Sequence, residues 1–161
     1  MRKIFMFAVM IAGLAACDKD SAEEKMVNAE FSKIQANWSF SSFKLAGQVP
    51  DTLQFNFNSG NFRWASCKYT DEGKYSQLCG GDIAINGLDG YLTYLYDVDH
   101  KQYQFGLLEG DNTKDKMQYS LYRKILTGKW TIEVVGDVLN ATQIENDSIP
   151  GLKASFVANK Q

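Results

Sequence analysis

The chain has 161 residues, a formal net charge of −2, 45% hydrophobic residues and 13% aromatic residues. This length fits one domain with a single hydrophobic core. The mild acidity argues against nucleic-acid binding and against electrostatic attachment to anionic lipid, because both need basic patches. With only two prolines, and with thirteen glycines, the composition argues against disorder and favours strands joined by turns.

The N-terminal segment carries a targeting pattern. Arg2 and Lys3 precede an apolar run from Ile4 to Leu14. This run is shorter than the ~20 residues that cross a bilayer, and the order of charged, apolar and small residues is typical of a secretory signal. The segment from Leu14 to Cys17 resembles the bacterial lipobox. The resemblance implies a bacterial lipoprotein in which a lipid, including palmitate, is attached to Cys17 and the chain is cleaved in front of it.

The lipobox resemblance also divides the chain and implies where it resides. Residues 1–16 are the expected signal peptide, residues 17–24 a lipidated tether, and residues 25–161 a single β domain with an N-terminal helix. The lipid on Cys17 implies a bacterial envelope protein anchored to the inner or outer membrane, with its domain in the periplasm or at the cell surface. Asp18 resembles the signal that retains enteric lipoproteins in the inner membrane.

An amphipathic helix is predicted at the start of the domain, from Ala22 to Ala36. Val27, Phe31 and Ile34 recur at helical spacing, and Ser21 is a suitable N-cap. We expect this helix to pack across the open end or an edge of a sheet.

From Trp38 onward the apolar pattern changes to a period of two, which is typical of strands. The regular spacing predicts an all-β fold, an antiparallel meander of about eight or nine strands that forms a barrel or a sandwich. The predicted strands contain Trp38, Leu53–Phe57, Phe62–Ser66, Ile83–Ile85, Leu92–Val98, Tyr103–Leu107, Met117–Leu121, Trp130–Val134 and Leu152–Phe156.

A helix followed by a tryptophan that opens the first strand of a meander resembles the lipocalin-like small barrels, a fold that many bacterial lipoproteins use. The family signature at this place is Gly-x-Trp, whereas this chain has Ala36-Asn37-Trp38. The spacing occurs later, at Gly128-Lys129-Trp130. The resemblance implies a barrel rather than a sandwich.

Cys67 and Cys79 form the remaining pair of cysteines. They are symmetric about Gly73 in a segment that predicts a hairpin turn, so the turn would bring them close together. Export places the pair in an oxidising compartment. A shared metal ion is the weaker alternative, because no further Cys or His lies nearby in the sequence. We therefore expect a disulfide bond.

No motif in the sequence predicts catalysis. The single histidine, His100, lies in a predicted exposed turn, and no phosphate-binding loop or metal-binding spacing occurs. The acidic residues fall at strand ends and turns, where solvated carboxylates are common. We assign no catalytic residue, no metal site and no cofactor, and we expect that the protein is not an enzyme.

Aromatic residues in neighbouring strands are the candidate binding residues. Tyrosine suits surfaces that are half apolar and half wet, such as ligand cups and protein interfaces. The alternative is that these rings pack the sheet as ordinary cross-strand pairs. The candidate residues are Tyr94, Tyr96, Tyr103, Tyr119 and Trp64.

Together these patterns predict a lipid-anchored, non-catalytic binding module of the envelope, whose partner is a small apolar ligand or an envelope protein. A second hypothesis is an inhibitor or adaptor of an envelope enzyme that inserts the polar loop Glu109 to Lys116 into its partner. A third is a small hydrolase that uses carboxylates at the strand ends.

Overall fold

A computed structural model describes residues 22–69, 75–109 and 116–161, and it has the predicted all-β architecture. Eight antiparallel strands follow one another around a closed barrel, so the barrel is correct and the sandwich is not. In chain order the elements are α1 (Ala22–Ile34), β1 (Asn37–Gly47), β2 (Gly60–Tyr69), β3 (Tyr75–Ile85), β4 (Leu88–Asp97), β5 (Gln102–Glu109), α2 (Lys116–Leu126), β6 (Gly128–Val135), β7 (Val138–Asn146) and β8 (Leu152–Lys160).

Alternation along each strand fills the barrel with aromatic rings. On β4, Leu92, Tyr94 and Tyr96 are buried, while Tyr91 points outward and is 38% exposed. Successive side chains of a strand face opposite sides, so this one register decides the orientation of the whole strand. The rings that share the interior include Trp38, Phe40, Phe43, Phe62, Trp64, Tyr103, Phe105, Trp130 and Phe156.

The barrel consists of two four-stranded sheets that are joined at two short seams. The β1–β2 seam and the β5–β6 seam contain three residue pairs each, from Asn37↔Arg63 to Ser39↔Asn61 and from Tyr103↔Trp130 to Phe105↔Gly128. Beyond these pairs, toward the C-terminal ends of β1 and β5, the neighbouring strands separate. The β1–β2 connection and helix α2 fill these openings and close this end of the barrel.

Helix α1 closes the opposite end, which we call the α1 end. Val27, Phe31 and Ile34 are its buried face, as the helical spacing predicted. The ring of Phe31 contacts the rings of Tyr94 and Tyr96 at centroid distances of 5.3 and 6.1 Å. The helix ends at Ile34, two residues before the predicted boundary at Ala36. The predicted cap Ser21 lies outside the described residues.

Helix α2 and the β1–β2 connection, residues 48–59, close the other end, the α2 end. We call this connection the strap. Tyr119 and Tyr122 are buried on α2. The hydroxyl of Tyr119 donates to the carbonyl of Leu108, and its ring lies so close to Gly90 that a Cβ there would overlap it. Glycine at position 90 is therefore a packing requirement.

Two predicted strands are wrong. Met117 to Leu121 lies within α2: Met117 is 84% exposed, while Tyr119, Tyr122 and Leu126 are buried at helical spacing. The helical period explains which residues are buried, and the period of two does not. Leu53 to Phe57 lies in the strap. Its side chains alternate in burial, but it pairs with no strand.

One strand was missed. Seven of the nine predicted strands are correct, and the missed strand brings the number in the barrel to eight. Strand β7 turns Leu139, Ala141 and Gln143 inward. Alanine and glutamine give no apolar alternation, so the pattern does not stand out in the sequence. Gln143 is buried in order to form hydrogen bonds rather than to fill space.

Candidate functional site

Four of the five candidate binding residues meet inside the barrel. Trp64 and Tyr94 have ring centroids 4.0 Å apart, and Tyr96 and Tyr103 are 4.8 Å apart. All four are 4% exposed or less. The fifth, Tyr119, lies on α2 at the other end of the molecule. The four rings contact one another, so these candidate residues are part of the core and do not form a surface.

The buried tyrosines remain neutral. Burial raises the pKa of Tyr96 to about 12, with smaller contributions from the negative charges of Glu30 and Asp97. Burial also raises the pKa of Tyr94 and of Tyr103 well above the ordinary tyrosine value, and Glu30 adds to the shift at Tyr103. The hydroxyl of Tyr103 donates to Glu30 Oε1 at 3.3 Å, which links the core to α1.

Trp64 has one unusual atom. Its side chain is buried, and its indole Nε1 has no hydrogen-bond partner among the described residues. An unsatisfied buried donor has a desolvation cost of about 1–3 kcal/mol. Aromatic rings pack around the indole, but no acceptor for its N–H lies within the part of the chain that the structure describes.

The two cysteines of the domain lie opposite each other on two neighbouring strands. Cys67 on β2 and Cys79 on β3 are register partners in the antiparallel pair. Opposed residues in such a pair have Cα atoms about 4.5–5.5 Å apart, a spacing that a disulfide bond spans. The hairpin predicted from the sequence therefore has the expected register. Cys17, the predicted lipidation site, lies outside the described residues, as does most of the predicted rim loop, residues 110–115.

The polar residues considered for chemistry are dispersed. His100 Nδ1 lies 2.8 Å from Asp97 Oδ2 in the exposed β4–β5 turn. Burial alone would raise the pKa of Asp97, but hydrogen bonds from His100 and from the backbone of Asp99, with the charge of His100, lower it. In the described ranges no group of three or more His, Cys, Asp or Glu side chains could hold a metal ion.

A mixed polar and apolar groove that sequence reasoning missed lies at the α2 end. A groove of about 530 Å³ runs beside α2 and the strap. Leu108, on the outer face of β5 near this end, is 51% exposed, and its register partner is the exposed Tyr91. The groove is lined by Gln54, Met117, Gln118, Ser120, Leu121 and Lys124.

Asn86 fastens the strap beside this groove. Its side-chain oxygen accepts from the backbone N–H groups of Asn58 and Ser59, at 2.8 and 3.2 Å. Its amide nitrogen donates to the carbonyl of Asn56 and to the hydroxyl of Tyr122. Asn86 also has a left-handed backbone with φ of 51°, which asparagine tolerates better than most residues. An asparagine before Gly87 predicts a turn, but the sequence does not predict that its side chain binds the strap; we call these side-chain hydrogen bonds the clasp.

No helix of the described ranges is long and apolar enough to cross a membrane. Comparisons of the chain with protein-family models, with curated proteins and with solved structures found no match.

Proposed function

We propose that this protein is a lipid-anchored bacterial envelope protein that acts as a non-catalytic binding module, and that it binds an envelope protein through its α2 end. The observation that carries this proposal is the distribution of apolar groups. The interior of the barrel is packed with rings and covered at both ends, whereas the groove at the α2 end is open and is lined in part by the 84% exposed Met117 and the half-buried Leu121.

The lipid would orient the molecule. Ala22, the first residue of α1, is five positions after Cys17. An extended chain of that length reaches at most about 18 Å, so a lipid on Cys17 holds the start of α1 close to the membrane. The α2 end is then directed away from the bilayer, because it lies at the opposite end of strands about 25–35 Å long. A partner at that end is an envelope protein rather than a membrane lipid.

A disulfide bond between Cys67 and Cys79 belongs to the same proposal. It would clamp the β2–β3 hairpin, as the register of the two strands allows. Non-reducing peptide mapping should recover the two cysteines in one cross-linked peptide pair. Free thiols at both positions in the protein isolated from the envelope would contradict the bond.

The anchor and the binding end can be tested separately. Cys17→Ala should release the protein from membranes, and unchanged membrane association would contradict the lipid anchor. For the binding end, a photo-crosslinking amino acid at Met117 should capture a discrete partner in cells. The matched control places it at Met26, a 47% exposed methionine on α1. Capture at Met117 that disappears with Leu121→Lys supports the α2 end, and equal capture at both positions contradicts it.

A small apolar ligand is the second candidate, and one observation favours it. The indole N–H of Trp64 is buried among rings that suit an apolar ligand, and it has no partner in the part of the chain that the structure describes. Such a ligand would have to carry an acceptor and displace core rings. Mass spectrometry of the protein under native conditions, extracted directly from the envelope, would reveal a retained small molecule.

A further inference from the structure

Strand β1 has one edge that no strand occupies. Its pairing with β2 ends at Ser39↔Asn61, whereas its pairing with β8 continues to Gly47. From Phe40 to Leu45, β1 makes no backbone hydrogen bond to the strap; both segments lie within the described residues. The second half of β1 is thus an edge strand, and such edges are templates for pairing with another chain.

The strap lies over this edge without pairing with it. Leu53, Phe55 and Phe57 are half-buried, and the residues between them are exposed. The ring of Phe43 on β1 lies 5.0 Å from that of Phe55 and 5.9 Å from that of Phe57. The side chains of the strap therefore occupy the positions that a neighbouring strand would fill, while its backbone does not complete the ladder.

Backbone-to-backbone hydrogen bonds between the strap and the rest of the described chain lie only at its two ends, where Gln48 N–H donates to the carbonyl of Gly151 and Asn86 N–H donates to the carbonyl of Ser59. At one end the side chain of Asn86 binds the strap backbone, and in the middle the ring of Phe55 packs edge-on against Tyr122 at 5.6 Å. Leu53 N–H bonds only locally, to the carbonyl of Pro50. Segments with few backbone hydrogen bonds and partly exposed side chains open at low free-energy cost.

We infer that the strap is an internal substitute for a partner's strand. The partner supplies an extended segment in which aromatic or large aliphatic residues alternate with polar ones. This segment displaces the strap, pairs with the β1 edge from Phe40 to Leu45 and places its apolar side chains against Phe40 and Phe43. It gains the ring contacts that the strap makes and adds the backbone hydrogen bonds that the strap lacks. The inference rests on the proposed function, because it specifies how a protein partner engages the α2 end.

The alternative is that the strap only covers the edge. Natural sheets protect unpaired edges with loops to prevent aggregation, and such a cover needs no partner. The two ideas differ in one measurable property. An edge that accepts a strand binds an extended peptide once the strap is loosened, and an edge that is only covered does not.

The test uses the full chain and the synthetic peptide Thr52–Gly60, which carries the strap's own sequence. Asn86→Gly removes the side-chain clasp and retains the left-handed turn. Lys101→Gly is the matched control, because Lys101 also has a left-handed backbone, φ of 54°, in a different hairpin turn. A tethered strap competes at an effective concentration in the millimolar range. The labelled peptide should therefore bind Asn86→Gly at least about tenfold more tightly than it binds the unmodified chain or Lys101→Gly.

Hydrogen exchange identifies where the peptide binds. Bound peptide should slow exchange of the β1 amides from Phe40 to Leu45. A peptide with both phenylalanines replaced by serine should neither bind nor slow this exchange. A second variant, Phe55→Ser with Phe57→Ser, loosens the strap without changing Asn86. Failure of the peptide to bind either loosened chain, or binding without protection of β1, would overturn the inference.

The outcome is separable from that of the proposed function. If the peptide fails while the cross-link at Met117 persists, the partner binds the groove and the strap is a cover. If the peptide binds and no cross-link forms at Met117, the edge accepts strands but the proposed partner site is wrong.

Discussion

The two ends of the barrel are closed by the same local arrangement of helix and strand. At each end a helix is followed by a strand whose tryptophan donates its indole N–H to the last carbonyl of that helix. Trp38 bonds the carbonyl of Ile34 and Trp130 that of Leu126, both at 2.9 Å and both four residues apart. The bond satisfies a carbonyl that has no partner within the helix, and it holds the end of the helix against the first residues of the strand.

The ends differ in what is added to this arrangement. At the α1 end the additions are apolar contacts, with Phe31 packed among the rings of the interior. At the α2 end they are buried amides of β7. Gln143 donates to the carbonyls of Ile125 and Thr127, and Asn146 donates to those of Lys124 and Ile125.

This difference has energetic consequences. Ring contacts are numerous and individually weak, so a core adjusts to moderate changes in shape. A buried amide with several partners cannot be replaced without leaving unsatisfied polar groups, each of which costs about 1–3 kcal/mol. The α2 end should therefore depend on a few single residues, whereas the stability of the α1 end is distributed over many.

Gln143→Ala should have the largest effect of the substitutions considered. It removes two hydrogen bonds to the end of α2 and the acceptor for the backbone N–H of Ala154, and it leaves a cavity in a site that is 1% exposed. We expect a loss of about 3 kcal/mol in the free energy of unfolding, measured by urea denaturation. Asn140→Ala, at an exposed position of the same strand, should change it by less than about 0.5 kcal/mol. Similar values for the two variants would remove the proposed difference between the ends.

The paired substitutions Trp38→Phe and Trp130→Phe test the shared arrangement. Each keeps an aromatic ring and removes the donor to the helix carbonyl, so each should cost about 1–2 kcal/mol. Equal losses would show that the arrangement contributes independently of what surrounds it. A larger loss at Trp130 would show that it is coupled to the buried amides, since neighbouring hydrogen-bonded groups are not additive. No loss at either position would contradict the role of the indole bond.

The sequence predicts the barrel well and the α2 end poorly, for a physical reason. Where a strand has one fully buried face, as β4 does at Leu92, Tyr94 and Tyr96, apolar alternation reports the fold directly. At the α2 end, Gln143 and Asn146 are buried to complete hydrogen bonds. Polar residues at inward positions look like solvent-facing residues in a sequence, so β7 was missed.

The same limit applies to the strap and to α2. Alternation at Leu53, Phe55 and Phe57 reports that one face of the chain lies against the core. It does not report whether the backbone finds a partner, because pairing depends on where β1 and β2 separate. In α2, Tyr119 fits a period of two with Met117 and a helical period with Tyr122, and only the packing against Gly90 decides between them. The candidate tyrosines were identified as a cluster, but the sequence did not show that they lie inside.

Tyr103→Phe should have a smaller effect, and one that depends on pH. The substitution removes the bond to Glu30, so at neutral pH it should cost about 0.5–1.5 kcal/mol. The folded pKa of Tyr103 lies above its ordinary value of 10.0. The folded protein therefore keeps a proton that the unfolded chain releases, and stability falls as the pH rises above 10.0. Tyr103→Phe should show a shallower alkaline decline than the unmodified chain. An alkaline decline as steep in Tyr103→Phe as in the unmodified chain would contradict the assignment.

The smallest effect is expected at the charged turn of the α1 end. The lowered pKa of Asp97 means that its carboxylate stabilises the fold above the ordinary value of 3.8, and that this contribution is lost as the pH falls through the lower folded value. His100 is 58% exposed, so solvent screens the pair, and Asp97→Asn should cost at most about 1 kcal/mol near neutral pH. The difference between Asp97→Asn and the unmodified chain should disappear in acid. A loss as large as that of Gln143→Ala would mean that a single polar contact also controls the α1 end. The contrast between an end stabilised by distributed packing and an end stabilised by a few buried amides would then fail.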